Sequence, residues 1–130
     1  MAAIVLATSP AWMGPSQTLA EQKIELFQTI SVGNLAALME QKDFALINVH
    51  IPYEGEIPRT DAFIPFDEIG ANLDQLPVDK EAKIVVYCRS GRMSEIAAAE
   101  LVRLGYTKVS HVAGGFVAWA KAGYALLQSE

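Results

Sequence analysis

Cysteine is almost absent from this chain of 130 residues, with Cys88 the single example. One thiol excludes an internal disulfide framework. The two histidines, His50 and His111, lie too far apart in sequence to write a metal-ligand cluster with it. No metal and no cofactor are therefore expected. Basic residues are also scarce: ten Lys and Arg against fifteen Asp and Glu leave a net charge of −5. That balance gives no general attraction to nucleic acid or anionic lipid, so any anion must be held by a local site. No apolar run reaches the roughly 20 residues that span a bilayer, and no membrane insertion is expected. The opening stretch MAAIVLATSPAWMGPSQTLA starts apolar and ends in small residues, yet no Lys or Arg precedes Lys23. The basic region that opens a secretory signal is thus missing. Residues 1–24 read as an amino-terminal arm or leader remnant and 25–130 as one domain. The lone thiol suits the reducing cytoplasm, or the periplasm if the apolar start is an export signal.

What is present is ample apolar material: 52% hydrophobic residues can fill one core in a chain of this length. ELFQTIS (25–31) reads as a strand, and Ser31 is placed to cap a helix through VGNLAALMEQ, with Leu35, Leu38 and Met39 at helical spacing. FALINVH (44–50) has strand length, IPYEGEIPRT (51–60) reads as an exposed loop, and DAFIPFDEI offers a brief strand broken at Pro65. ANLDQL reads as a helical turn or two. KIVVY is a continuous apolar strand of the kind buried on both faces of a parallel sheet. SEIAAAELVRLG then reads as a helix ended by Gly105, with Ala97, Ala98, Leu101, Val102 and Leu104 on one arc. KVSHV is a further strand, and AGGFVAWAKAG a glycine turn and closing helix. Strands alternating with short helices predict an α/β, three-layer sandwich around a mainly parallel sheet.

That order puts Cys88 at the carboxyl end of a central strand, followed by RSGRM (89–93) and a helix starting near Ser94. In open α/β sheets ligands collect at this edge. Amides of a tight loop and a first helical turn lack intrahelical partners, the helix dipole adds positive potential, and Arg89 and Arg92 add formal charge. A thiol in that field is expected to ionise more easily than an ordinary cysteine. The alternatives are a buried spectator, since free cysteine often packs as a small hydrophobe, or half of an intermolecular disulfide.

YCRSGRMS after an apolar strand, with GYTKVSHVAGGFVAWAKAGY about one helix later, resembles the rhodanese family of sulfurtransferases over about Thr29 to Leu126. The resemblance implies the rhodanese-like sandwich and a cysteine, here Cys88, that takes a sulfane sulfur from thiosulfate or a persulfide donor. That sulfur would pass as a persulfide to cyanide, a thiol or a partner protein. It also implies that Arg89, Ser90, Gly91, Arg92, Met93 and Ser94 hold the anionic outer sulfur through backbone amides. Phosphatase-like or arsenate-reductase-like relatives use a loop one residue longer, closed by an arginine; here that position is Ser94, which favours sulfur chemistry. A non-catalytic binding or sensor module is the other reading. The family's Asp-x-Arg is replaced by Asn48 and His50, and Glu56-Ile57-Pro58-Arg59 stands for its His-Ile-Pro-Gly run. His50 is expected to be a polar residue leaving a strand, His111 to be structural, and Glu54 and Glu56 to be solvated loop charges. Phe116, Trp119 and Tyr106 are expected in the core, Trp12 in contact with the arm, and Met93 with Ile96 on an apolar rim. The chain is expected to be a monomer or weak homodimer.

Overall fold

Alternation along the central strands explains why the sheet is covered on both sides. In a computed structural model, which describes residues 26–128, β4 (Lys83–Tyr87) sends Ile84 and Val86 to one face and Val85 and Tyr87 to the other, all buried. β4 lies at the centre of a five-stranded sheet. Its other strands are β1 (Gln28–Ile30), β2 (Ala45–Asn48), β3 (Ala62–Phe63) and β5 (Lys108–Val112), in the order β1-β5-β4-β2-β3. Every pairing is parallel. This is the expected α/β sandwich. The amino-terminal arm and Trp12 lie outside the described residues.

Helices fill the two outer layers. α1 (Val32–Met39) and α3 (Gly115–Lys121) cover the face of Val85 and Tyr87, where Leu35, Phe116 and Trp119 pack. α2 (Arg92–Arg103) covers the face of Ile84 and Val86 with Ala97, Ala98 and Leu101. Tyr106 joins this second cluster rather than the one at the closing helix. Ser31 caps α1 as expected: its hydroxyl accepts from the Asn34 N–H at 3.0 Å, and the Asn34 side chain accepts from the Ser31 N–H. Leu35 is buried, whereas Leu38 points outward and is 45% exposed, because a helix on the sheet surface buries only one stripe.

Two expectations are corrected. α2 begins at Arg92, two residues earlier than expected, because Gly91, at φ 123°, takes the non-helical position before it. The segment 51–60 is not simply exposed. Ile57 is fully buried, Gly55 is buried, and Glu56 forms an antiparallel bridge with Leu127 through hydrogen bonds of 2.7 and 2.8 Å. Prolines and charges mark this stretch as a turn, but Ile57 supplies apolar area worth about 2 kcal/mol on burial, which draws it inward. Asn48 holds the same segment from below. It is fully buried, donates from Nδ2 to the Gly55 carbonyl at 3.0 Å, and accepts the His50 N–H at 3.0 Å. An uncharged amide can satisfy both directions at once there.

Candidate active site

The site begins with an anchor one residue before the thiol. Tyr87 is fully buried, and its phenol oxygen accepts the Ile57 N–H at 2.9 Å. Thr60 Oγ1 donates to the Ile57 carbonyl at 2.6 Å, so the Tyr87 hydroxyl donates to Thr60 Oγ1 at 2.8 Å and closes a ring of three bonds. Burial pushes the Tyr87 phenol far above its ordinary range, so it remains a neutral donor. β4 is thereby fixed where it leaves the sheet.

Period two then decides where the thiol points. Cys88 follows Ile84 and Val86 onto the α2 face, toward the amino-terminal end of α2. The Gly91 N–H donates to Cys88 Sγ at 2.9 Å, and Sγ lies 3.7 Å from Ser94 Oγ. The amides of Arg92, Met93 and Ser94 occupy the first turn of α2 and have no acceptor within the helix. Glu95 in that turn and Arg103 in the last both complement the helix dipole.

A second segment fastens this loop from beneath. The Phe116 N–H donates to the Cys88 carbonyl at 2.9 Å and the Val117 N–H to the Arg89 carbonyl at 3.1 Å. Gly115 makes that approach possible. A Cβ there would lie 2.3 Å from the Cys88 carbonyl oxygen and 2.4 Å from that of Arg89, and its φ of 57° is left-handed. The two motifs singled out in the sequence are therefore one structural unit, with the Gly-Gly turn clamping the backbone that presents the sulfur.

The expected site residues separate into an inner and an outer set. Cys88 and Ser94 are buried; Gly91 and Met93 are half-buried, and Met93 packs against the α2-side core. Arg89, Ser90 and Arg92 are exposed. Cys88 is 2% exposed, and one amide, that of Gly91, meets its sulfur. Starting α2 at Arg92 shortens the free loop to Arg89–Gly91 and draws Sγ in against the helix.

Three further residues belong to the site. Glu54 pairs with Arg89, its Oε1 3.3 Å from Nε, and lies 3.4 Å from His50 Nε2, so it is a paired charge at the rim rather than a solvated one. His50 is buried instead of standing at a loop edge. Its ring meets Phe116 edge-on at 5.6 Å, and Nε2 has no hydrogen-bond partner among the described residues. His111 is buried on β5, and its Nδ1 lies 3.0 Å from Ser94 Oγ. Burial holds the His111 imidazole below its ordinary range, with the Glu95 carboxylate opposing in part. Beside Arg89 a shallow open depression of about 500 Å³ is lined in part by Glu54, Phe116, Val117 and Lys121. Among the described residues no three His, Cys, Asp or Glu side chains gather as metal ligands, and no helix is long and apolar enough to cross a membrane.

The site thus places a thiol at the carboxyl end of the central strand of a parallel α/β sandwich, beside a helix amino terminus. Comparison with known proteins gives this arrangement its family. The Rhodanese-like domain profile matches residues 31–122, and the chain belongs to that family. A protein named sulfurtransferase from Allochromatium vinosum is 35% identical over 97 residues, covering 72% of this chain and 87% of its own. A probable adenylyltransferase/sulfurtransferase, MoeZ, of Mycobacterium tuberculosis is 39% identical over 84 residues. That match covers 62% of this chain and only 21% of the longer protein. Among solved structures, a rhodanese-related protein from Thermoplasma volcanium superimposes with a TM-score of 0.66 at 25% identity, covering 78% of this chain and 99% of that one.

Proposed function

We propose that this chain is a sulfurtransferase that moves a sulfane sulfur through a persulfide on Cys88. The observation that carries the reading is the 2.9 Å contact of the Gly91 N–H with Cys88 Sγ at the start of α2, where an anionic sulfur is stabilised by the amide and by the helix dipole. In the first half-reaction the Cys88 thiolate attacks the outer sulfur of thiosulfate or of a persulfide. The donor's S–S bond breaks, its electron pair leaves with sulfite or a thiolate, and Cys88 carries the new S–S bond. In the second half-reaction cyanide, a thiol or a protein thiolate attacks the terminal sulfur and returns Cys88 as thiolate. The terminal sulfur would be held by the free first-turn amides of Arg92, Met93 and Ser94, with Arg89 and Arg92 offering charge at the mouth. No metal or cofactor enters either step.

The covered position of Cys88 favours one competing reading, a rhodanese-like module that binds a partner without turnover. Loading separates the two. Incubation with thiosulfate or a persulfide donor should add one sulfur, about 32 Da by intact mass spectrometry, removable by cyanide and abolished by Cys88→Ser. A folded protein that gains no sulfur from either donor would leave only the binding module.

A further inference from the structure

Ser94 has one hydroxyl proton and three neighbours that can take it. Its Oγ lies 3.1 Å from the Gly91 carbonyl oxygen, 3.0 Å from His111 Nδ1 and 3.7 Å from Cys88 Sγ. His111 reaches this point because β5 places Val109 and His111 on the α2 face, and Val86 is the strand neighbour of His111. The imidazole also packs against Phe27 in a T-shaped contact, ring centroids 5.6 Å apart at 83°. A buried imidazole aimed at the one hydroxyl beside the reacting sulfur is more than a packing residue.

We propose that His111 is a positioning residue that selects, through Ser94, whether the serine hydroxyl faces the imidazole or the sulfur. With the ring proton on Nε2, Nδ1 accepts the Ser94 proton, and the Oγ lone pair receives the Cys88 S–H. With the ring proton on Nδ1, the imidazole donates to Oγ and turns the serine proton away from the Gly91 carbonyl, at 3.1 Å, toward the Cys88 thiolate or the inner sulfur of a persulfide. The anionic sulfur then has two donors, the Gly91 N–H and the Ser94 O–H, in place of one. Protons balance: the thiol proton leaves to solvent, and the imidazole moves its single proton from one nitrogen to the other by exchange with water. Glu95 on α2 is the charged group whose field reaches the ring, and Cys88 is the titratable group across Ser94. Phe27 contributes only an apolar ring.

The inference deepens the proposed sulfur transfer and shares with it the assignment of Cys88 as the reacting group, but its test needs no sulfur donor. Cys88 is the only cysteine, so the ultraviolet absorbance of its thiolate can be titrated against pH after subtracting Cys88→Ser. His111→Phe keeps an aromatic ring beside Phe27 but offers Ser94 no nitrogen, and His111→Gln carries its amide one methylene too far. Without an imidazole N–H to occupy Oγ, the Ser94 proton stays on the Gly91 carbonyl at 3.1 Å, so both should lower the thiolate fraction at a fixed pH on the acid side of the titration by about three- to tenfold. Ser94→Ala should do the same, and adding His111→Phe to it should change nothing more. His111→Asn, whose amide overlies Nδ1, should restore the wild-type titration. Thermal melts identify which variants are folded. The proposal is overturned if the folded Phe or Gln variant titrates like wild type, if Asn shifts as far as Phe, or if the two changes add. A protein that never loads sulfur but shows the expected titrations would sink the transferase reading alone. One that loads sulfur with unmoved titrations would sink only the role of His111.

Discussion

Gly115→Ala probes whether the Gly-Gly turn holds the sulfur-bearing loop. The added methyl would sit 2.3 Å from the Cys88 carbonyl oxygen, 2.4 Å from the Arg89 carbonyl oxygen and 2.5 Å from the Arg89 carbonyl carbon. All three are backbone atoms, so no side-chain rotation relieves the contact. Placing an alanine in the left-handed region costs about 1–2 kcal/mol. Relief of the clash requires the loop to withdraw, which breaks the Phe116 N–H and Val117 N–H bonds to it at about 1 kcal/mol each. The sum, about 3–4 kcal/mol, is a large share of the stability of an ordinary domain. Urea denaturation should show this loss with an unchanged slope, and sulfur loading of the folded fraction should fall, because the withdrawn backbone carries Cys88 with it. Gly114→Ala is the matched control: its methyl meets the Cβ of Ala118 at 2.5 Å, a side-chain contact that Ala118→Gly removes. A Gly115→Ala protein within 1 kcal/mol of wild type, loading sulfur at the ordinary rate, would refute the clamp.

The remaining tests address the anchor, the rim and the buried histidine. Tyr87→Phe leaves the buried Ile57 N–H without its acceptor and should lower stability by about 1–3 kcal/mol in urea. Glu54→Gln removes the negative charge beside Arg89 while the pair itself, largely solvent-screened, adds little to stability. The KM for thiosulfate should therefore fall, more at low than at high salt, and a salt-independent or absent change would detach Arg89 from donor binding. The native state binds a proton at His111 less readily than the unfolded chain does, so stability from the neutral ring is complete above about pH 6.5. It declines as pH falls through that value. Glu100, held below its ordinary range by the hydrogen bond from Arg103, adds a separate loss only below about 4.5. Urea midpoints between about pH 7 and pH 5 should slope downward in wild type and flatten in His111→Asn.

The architecture was legible because its signals are local. KIVVY is apolar without interruption, and a strand of that kind must be covered on both sides; the alanine-lined arc of SEIAAAELVRLG supplies one cover and Phe116 with Trp119 the other. Ser31 and Gly105 mark helix ends by chemistry that acts over three or four residues. Reading 51–60 as exposed failed for the opposite reason. Its turn signals are local, but the burial of Ile57 depends on the phenol of Tyr87, a partner that no periodicity links to it.

The site divides in the same way. Cys88 and its loop could be found in sequence because a strand, a thiol, a glycine and a helix start are consecutive. Glu54 could not, since only the folded course of 49–56 carries it to Arg89. His111 stands between these cases. Counting by twos from Val109 already assigns it to the face of an apolar core residue, and the same count from Ile84 assigns Cys88 to a face of its own strand. What remained hidden was that β5 lies directly beside β4, in parallel and with His111 level with Val86, so that the two faces are one. Strand order, a property of the whole chain, therefore turns a histidine that reads as structural into a neighbour of Ser94 and the Cys88 loop. A buried polar residue found at the in-facing period of a strand next to the nucleophile's strand should accordingly be tested as part of the site before it is assigned to packing.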